Sequence, residues 1–88
     1  GVTIEADIRK MGRTPFKGYV RDLSMTGCRA ETLTKTIPGD RIWLTLPGFN
    51  AIEATIRWSN SRGCGIQWNQ PLHASVFDHI RMRYPDAF

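Results

Sequence analysis

Val2, Ile4, Ala6 and Ile8 alternate with Thr3, Glu5, Asp7 and Arg9, the two-residue period of a strand with one face in a core and the other in water. Turn-forming residues follow from Gly12 to Pro15, and an extended pattern resumes over Phe16 to Leu23, with Tyr19, Val20 and Leu23 apolar. These two segments predict a hairpin. A third strand is predicted over Cys28 to Thr32, with Cys28 and Ala30 on one face and Arg29 and Glu31 on the other. Pro38 and Gly39 mark a turn into a fourth, Arg41 to Leu46, where Ile42, Leu44 and Leu46 alternate with Arg41, Trp43 and Thr45. Pro47 and Gly48 reverse the chain into a fifth, Phe49 to Ser59, whose Ile52, Ala54, Ile56 and Trp58 oppose Glu53, Thr55 and Arg57. A turn at Asn60 to Gly63 leads to a sixth, Cys64 to Trp68, with Ile66 and Trp68 inward. Six short strands separated by turn signals predict an all-β, closed or nearly closed antiparallel barrel.

The period then changes. Leu72, Val76, Ile80 and Tyr84 recur every four residues with Phe77 beside them, the apolar face of a helix over about residues 72–84. Pro71 and Pro85 bound it. Such a helix is expected to cover one mouth of the barrel.

Residues 1–88 are therefore read as a single domain. Because the chain begins at Gly1 and not at Met, a piece of a longer polypeptide is expected. A chain of this length buries only about two-thirds of the surface exposed by its unfolded form, which leaves little interior for a deep catalytic cleft. Charged residues interrupt every apolar stretch, which excludes a membrane-spanning helix, and no signal peptide opens the chain. Twelve Lys and Arg against eight Asp and Glu give a net charge of +4, which favours an anionic partner. Ten of the twelve cations precede the helix, so attraction is expected from the front of the chain. Cys28 and Cys64 form no C-x-x-C pair; buried free thiols in a reducing cytoplasm are expected, with a bridge between neighbouring strands left open.

One local arrangement has sharp spacing: Asp22-Leu23-Ser24-Met25-Thr26-Gly27, followed by Cys28-Arg29-Ala30. Two readings of it stand. The Asp22 carboxylate can accept from the N1 and N2 edge of a guanine, Ser24 offers a hydroxyl, and Gly27 permits positive φ or the close approach of a flat base. Alternatively, Asp22 and Ser24 satisfy backbone amides in a turn and Gly27 only permits the bend.

The hexapeptide resembles the D-x-S-x-x-G signature of the PilZ family. The turn at Pro38-Gly39-Asp40, the reversal at Pro47-Gly48, the closing strand Gly63-Cys64-Gly65-Ile66-Gln67-Trp68 and the final helix also follow in that family's order. The resemblance implies a six-stranded antiparallel β-barrel with one C-terminal helix. It also implies a receptor module, not an enzyme, that binds the bacterial second messenger cyclic di-GMP through Asp22, Ser24 and Gly27. The signal would be relayed to a downstream domain or protein, with no cofactor beyond the ligand and no membrane insertion. Arg21, adjacent to Asp22, is a further candidate for a phosphate, although in a regular strand its side chain points away from that of Asp22.

The family's second element, R-x-x-x-R ahead of the first strand, is out of place. Arg9-Lys10-Met11-Gly12-Arg13 spells the pattern but follows that strand, which puts the pair about 20 Å or more from Asp22 at roughly 3.3 Å per residue. The clamping pair lies upstream of Gly1, or has been lost, or a rearranged hairpin brings Arg13 round; a domain without it would be an interaction module that does not bind the nucleotide.

Other chemistry is poorly served. His73 and His79 are six apart and share no ligand spacing, so no zinc site is expected. Asp22, Ser24 and a histidine supply the letters of a hydrolase triad without a G-x-S-x-G elbow. Trp43, Trp58 and Trp68 with Arg41, Arg57 and Arg62 suggest a nucleic-acid face, but Trp58 and Trp68 continue the apolar phase of their strands, leaving Trp43 as the outward ring and nucleic acid a poor partner.

Overall fold

The computed structural model describes residues 3–88. Val2, taken above as the start of the first strand, lies outside the described residues. The strands are β1 (Ile4–Lys10), β2 (Phe16–Arg21), β3 (Gly27–Thr32), β4 (Arg41–Thr45), β5 (Ile52–Asn60) and β6 (Gly63–Trp68), followed by the helix α1 (Ala74–Arg83) and a short 3-10 turn over Pro85–Ala87. All pairings are antiparallel, and the order β1-β2-β3-β6-β5-β4 closes on itself through β4 and β1. The fold is the six-stranded antiparallel barrel with a C-terminal helix that the alternation predicts.

Alternation places Ile4, Ala6, Ile8, Val20, Ala30, Ile42, Leu44, Ala54 and Ile66 in the core, so a one-residue slip of any strand would turn its apolar set into water. Registers run Ile4↔Val20 to Ile8↔Phe16 between β1 and β2 and Ile8↔Leu44 between β1 and β4. One barrel end therefore carries the β2–β3, β4–β5 and β6–α1 connections, and the other carries β1–β2, β3–β4 and β5–β6. The helix sits at the first end. Ile80 is fully buried, His79 packs edge-on to Phe49 at 5.6 Å, and Leu72 N–H donates to the Met25 carbonyl.

Three expectations are corrected. The fifth strand begins at Ile52, because Phe49 N–H closes a turn onto the Leu46 carbonyl. The helix begins at Ala74, with the His73 imidazole accepting from Ser75 N–H as its cap; Leu72 is buried ahead of the helix, Phe77 and Ile80 face the barrel, and Val76 lies exposed. Trp58 lies on the outer surface at 42% exposure. The β5–β6 register slips between Ile56 and Trp58, and a bulge of one residue at Arg57 inverts the alternation beyond it.

Candidate functional site

The connection from β2 to β3 is pinned from several sides. Ser24 N–H donates to the Gly27 carbonyl at 2.8 Å, and Ser24 Oγ accepts from the N–H groups of Thr26 and Gly27 at 3.2 Å each. The same hydroxyl lies 3.2 Å from the Gly27 carbonyl, to which it donates. Trp68 donates its backbone N–H to Thr26 and its indole N–H to the Ser24 carbonyl, and Leu23 N–H reaches the Ala87 carbonyl. Ser24 thus serves the turn, as the second sequence reading allows. Gly27 is a buried strand residue without positive φ. A Cβ there would stand 2.1 Å from the Ile66 carbonyl oxygen, so its missing side chain admits the neighbouring strand.

Asp22 differs from both. Its φ of 54° is the only positive value at a non-glycine residue among the described residues, and Asp and Asn tolerate this region better than other side chains. The turn breaks strand alternation, so the carboxylate emerges on the same outer surface as Arg21 and does not point away from it. Asp22 Oδ2 meets the Arg29 guanidinium at 3.4 Å, and both side chains are about half exposed. Arg21 stands opposite Arg29 in the β2–β3 ladder and is balanced by Glu31 at 3.0 Å.

Beside this group lies a feature hidden from strand periodicity. Gly65 pairs with Arg29 on one side and Trp58 on the other, and a Cβ on Gly65 would fall 2.1 Å from the Trp58 indole nitrogen. The indole therefore lies across the bare glycine, with the Arg29 guanidinium 6.0 Å from its ring centroid, within cation–π range. Arg21, Arg29, Trp58 and Arg62 border a shallow pocket of about 150 Å³. An exposed carboxylate, the guanidiniums of Arg21 and Arg29 and a flat aromatic ring on the strand face, with Arg62 from the β5–β6 turn at its far edge, can recognise a base edge, stack its plane and neutralise phosphate. The sequence signal for it is Gly65 itself, a glycine inside a strand, which marks close approach of a neighbouring group.

The remaining candidates fall elsewhere. Arg9 ends β1 and Arg13 sits in the β1–β2 turn, at the barrel end opposite Asp22; the regular hairpin register excludes the rearranged path. Trp68 is core, and Trp43 is half-buried on the outer face of β4, so the rings of Trp43 and Trp58 form no continuous stacking strip. Cys28 and Cys64 are free and buried. Burial raises both thiols above the ordinary value of 9.0, while a hydrogen bond involving Thr36 moderates the rise at Cys64. Among the described residues no three His, Cys, Asp or Glu side chains gather as a metal site would need.

A family model described as PilZ domain matches residues 2–82 of the 88-residue chain. No curated protein and no solved structure matches.

Proposed function

The chain belongs to the PilZ domain family, and from that membership we propose that it binds cyclic di-GMP on the outer face of β2, β3, β5 and β6 and relays the signal to a downstream domain or protein. The observation that carries this reading is the exposed Asp22 carboxylate beside Arg29, whose guanidinium lies 6.0 Å from the Trp58 ring centroid. Asp22 accepts from the guanine N1 and N2 edge, Trp58 offers its ring to the base, and Arg21, Arg29 and Arg62 face the phosphates. Ser24 and Gly27 act by shaping the turn that presents Asp22, and they need not touch the ligand. β1 begins at the barrel end that carries Asp22, and ordering of a cationic arm on the ligand at that end would change the surface displayed to a partner. The protein acts by binding, not catalysis, within a bacterial cytoplasm.

A second reading, an interaction module that does not bind the nucleotide, is favoured by two observations: Arg9 and Arg13 lie at the far end of the barrel, and Ser24 and Gly27 are consumed by the fold. Calorimetry with cyclic di-GMP separates the two. The receptor reading expects heat from this chain or from one extended upstream of Gly1, lost in Asp22→Asn with the thermal transition unchanged. Silence from both chains leaves the interaction module.

A further inference from the structure

At the barrel end opposite α1, polarity is inverted. The β3–β4 connection sends Thr36 inward, 7% exposed and hydrogen-bonded to Ser59 Oγ at 2.8 Å, while Leu33 and Ile37 face outward at 102% and 55% exposure. Met11, at the tip of the neighbouring β1–β2 turn, is 71% exposed. Holding a hydroxyl inside and two aliphatic side chains outside runs against the partition that stabilises the rest of the barrel. The Lys10–Asp40 ion pair at 2.9 Å ties the two loops together, so their apolar tips share one end.

The same end holds most of the charge excess. Its three connections, residues 10–15, 33–40 and 60–62, carry Lys10, Arg13, Lys35 and Arg62 against Asp40 alone, four cations and one carboxylate, or +3 of the molecule's +4. Among the described residues Arg13, Lys35 and Arg62 take part in no ion pair. Aliphatic tips set among free cations on projecting loops match a flat anionic surface with an apolar layer beneath it.

We propose that this end of the barrel adsorbs to anionic lipid bilayers, with Leu33, Ile37 and Met11 at the headgroup–acyl boundary and Lys10, Arg13 and Lys35 over the headgroups. The attachment is peripheral; among the described residues no helix is long and apolar enough to cross a membrane. Asp22 lies at the other barrel end, while Arg62 of the β5–β6 turn also lines the nucleotide pocket and is left out of the membrane-facing set; adsorption does not require the proposed function.

The test is co-sedimentation of the native chain with vesicles of phosphatidylcholine alone and of an equal mixture of phosphatidylcholine and phosphatidylglycerol, at low and raised salt. Binding is expected only to the anionic vesicles and should weaken with salt. Arg13→Glu with Lys35→Glu should reduce the partition coefficient by about twentyfold or more, at roughly fivefold per cation removed, and Leu33→Ser with Ile37→Ser by about tenfold or more. All four positions are on exposed loops, and unchanged circular dichroism checks that the barrel persists. Absence of sedimentation with anionic vesicles at low salt overturns the proposal, as does binding indifferent to both variants. Soluble polyglutamate binding as tightly as the vesicles, and unaffected by Leu33→Ser with Ile37→Ser, also overturns it and assigns the cations to an acidic protein.

Discussion

Two glycines face the same predicted overlap with opposite consequences. A Cβ on Gly27 would stand 2.1 Å from the Ile66 carbonyl oxygen and 3.2 Å from the Gln67 Cα, both fixed backbone. A Cβ on Gly65 would stand 2.1 Å from the Trp58 indole nitrogen, which belongs to a side chain free to swing into solvent. Gly27→Ala must therefore push β3 away from β6, and overpacking of this kind costs about 1–3 kcal/mol. At about 4–8 °C per kcal/mol for a domain of this size, the melting temperature should fall by roughly 5–20 °C. Gly65→Ala displaces only the indole, and the gain from a less flexible unfolded chain, about 0.4–1 kcal/mol, offsets part of the lost contact; stability should stay within about 1 kcal/mol of native. Its effect belongs to the ligand. Losing the ring as a platform removes about 1–3 kcal/mol of base stacking, roughly a fivefold to hundredfold loss of affinity for cyclic di-GMP. Calorimetric melting and nucleotide titration of both variants give the test. A Gly27→Ala protein as stable as native would refute the claim that this glycine is kept for strand approach. A Gly65→Ala protein with native affinity would refute the platform.

Other consequences are narrower. Asp22→Asn should keep the left-handed turn and lose the ion pair with Arg29, whereas Asp22→Ala should also lose about 1 kcal/mol of stability from its positive φ; equal melting temperatures for the two would count against that strain. Ser24→Ala leaves the N–H groups of Thr26 and Gly27 without their shared acceptor and should destabilise by about 1 kcal/mol, read by urea denaturation. Because burial raises the folded-state thiols above 9.0, their contribution is fully present below that pH. Above it the unfolded chain ionises first, and stability falls as pH rises. Urea midpoints should decline on the alkaline side of 9.0, and Cys28→Ala with Cys64→Ala should lessen the decline; an identical decline in that variant would show that other groups cause it.

The six strands and the helix were legible because strands such as β1 and β4 keep their apolar residues in one phase, from Ile4 to Ile8 and from Ile42 to Leu44; the pairings of β3 with β6 and of β4 with β1 that close the barrel join distant segments and leave no local signal. Reading the same phase through Ile56 placed Trp58 in the core. The bulge at Arg57 is a feature of the β5–β6 pairing, and nothing in the local alternation encodes it. Asp22 was legible as a ligand candidate from spacing, but its partner Arg29 comes from the next strand and was read only as a surface cation. For Ser24 and Gly27, spacing alone left ligand contact and turn formation open; the bonds from Thr26 and Gly27, and the approach of the Ile66 carbonyl, favour the turn. Leu33 and Ile37 lay in a segment read as a simple connection, and their exposure depends on Thr36 taking the inward position.

The most direct test of the nucleotide face is an amide and indole NMR titration with cyclic di-GMP, using the chain extended upstream of Gly1 if the shorter one binds weakly. The Trp58 indole N–H and the amides of Asp22, Arg29 and Gly65 should shift together with one affinity, while the Trp43 indole stays in place. Saturable shifts centred on Trp43 and Phe49, with Trp58 unmoved, would contradict the assignment of the ligand to this face.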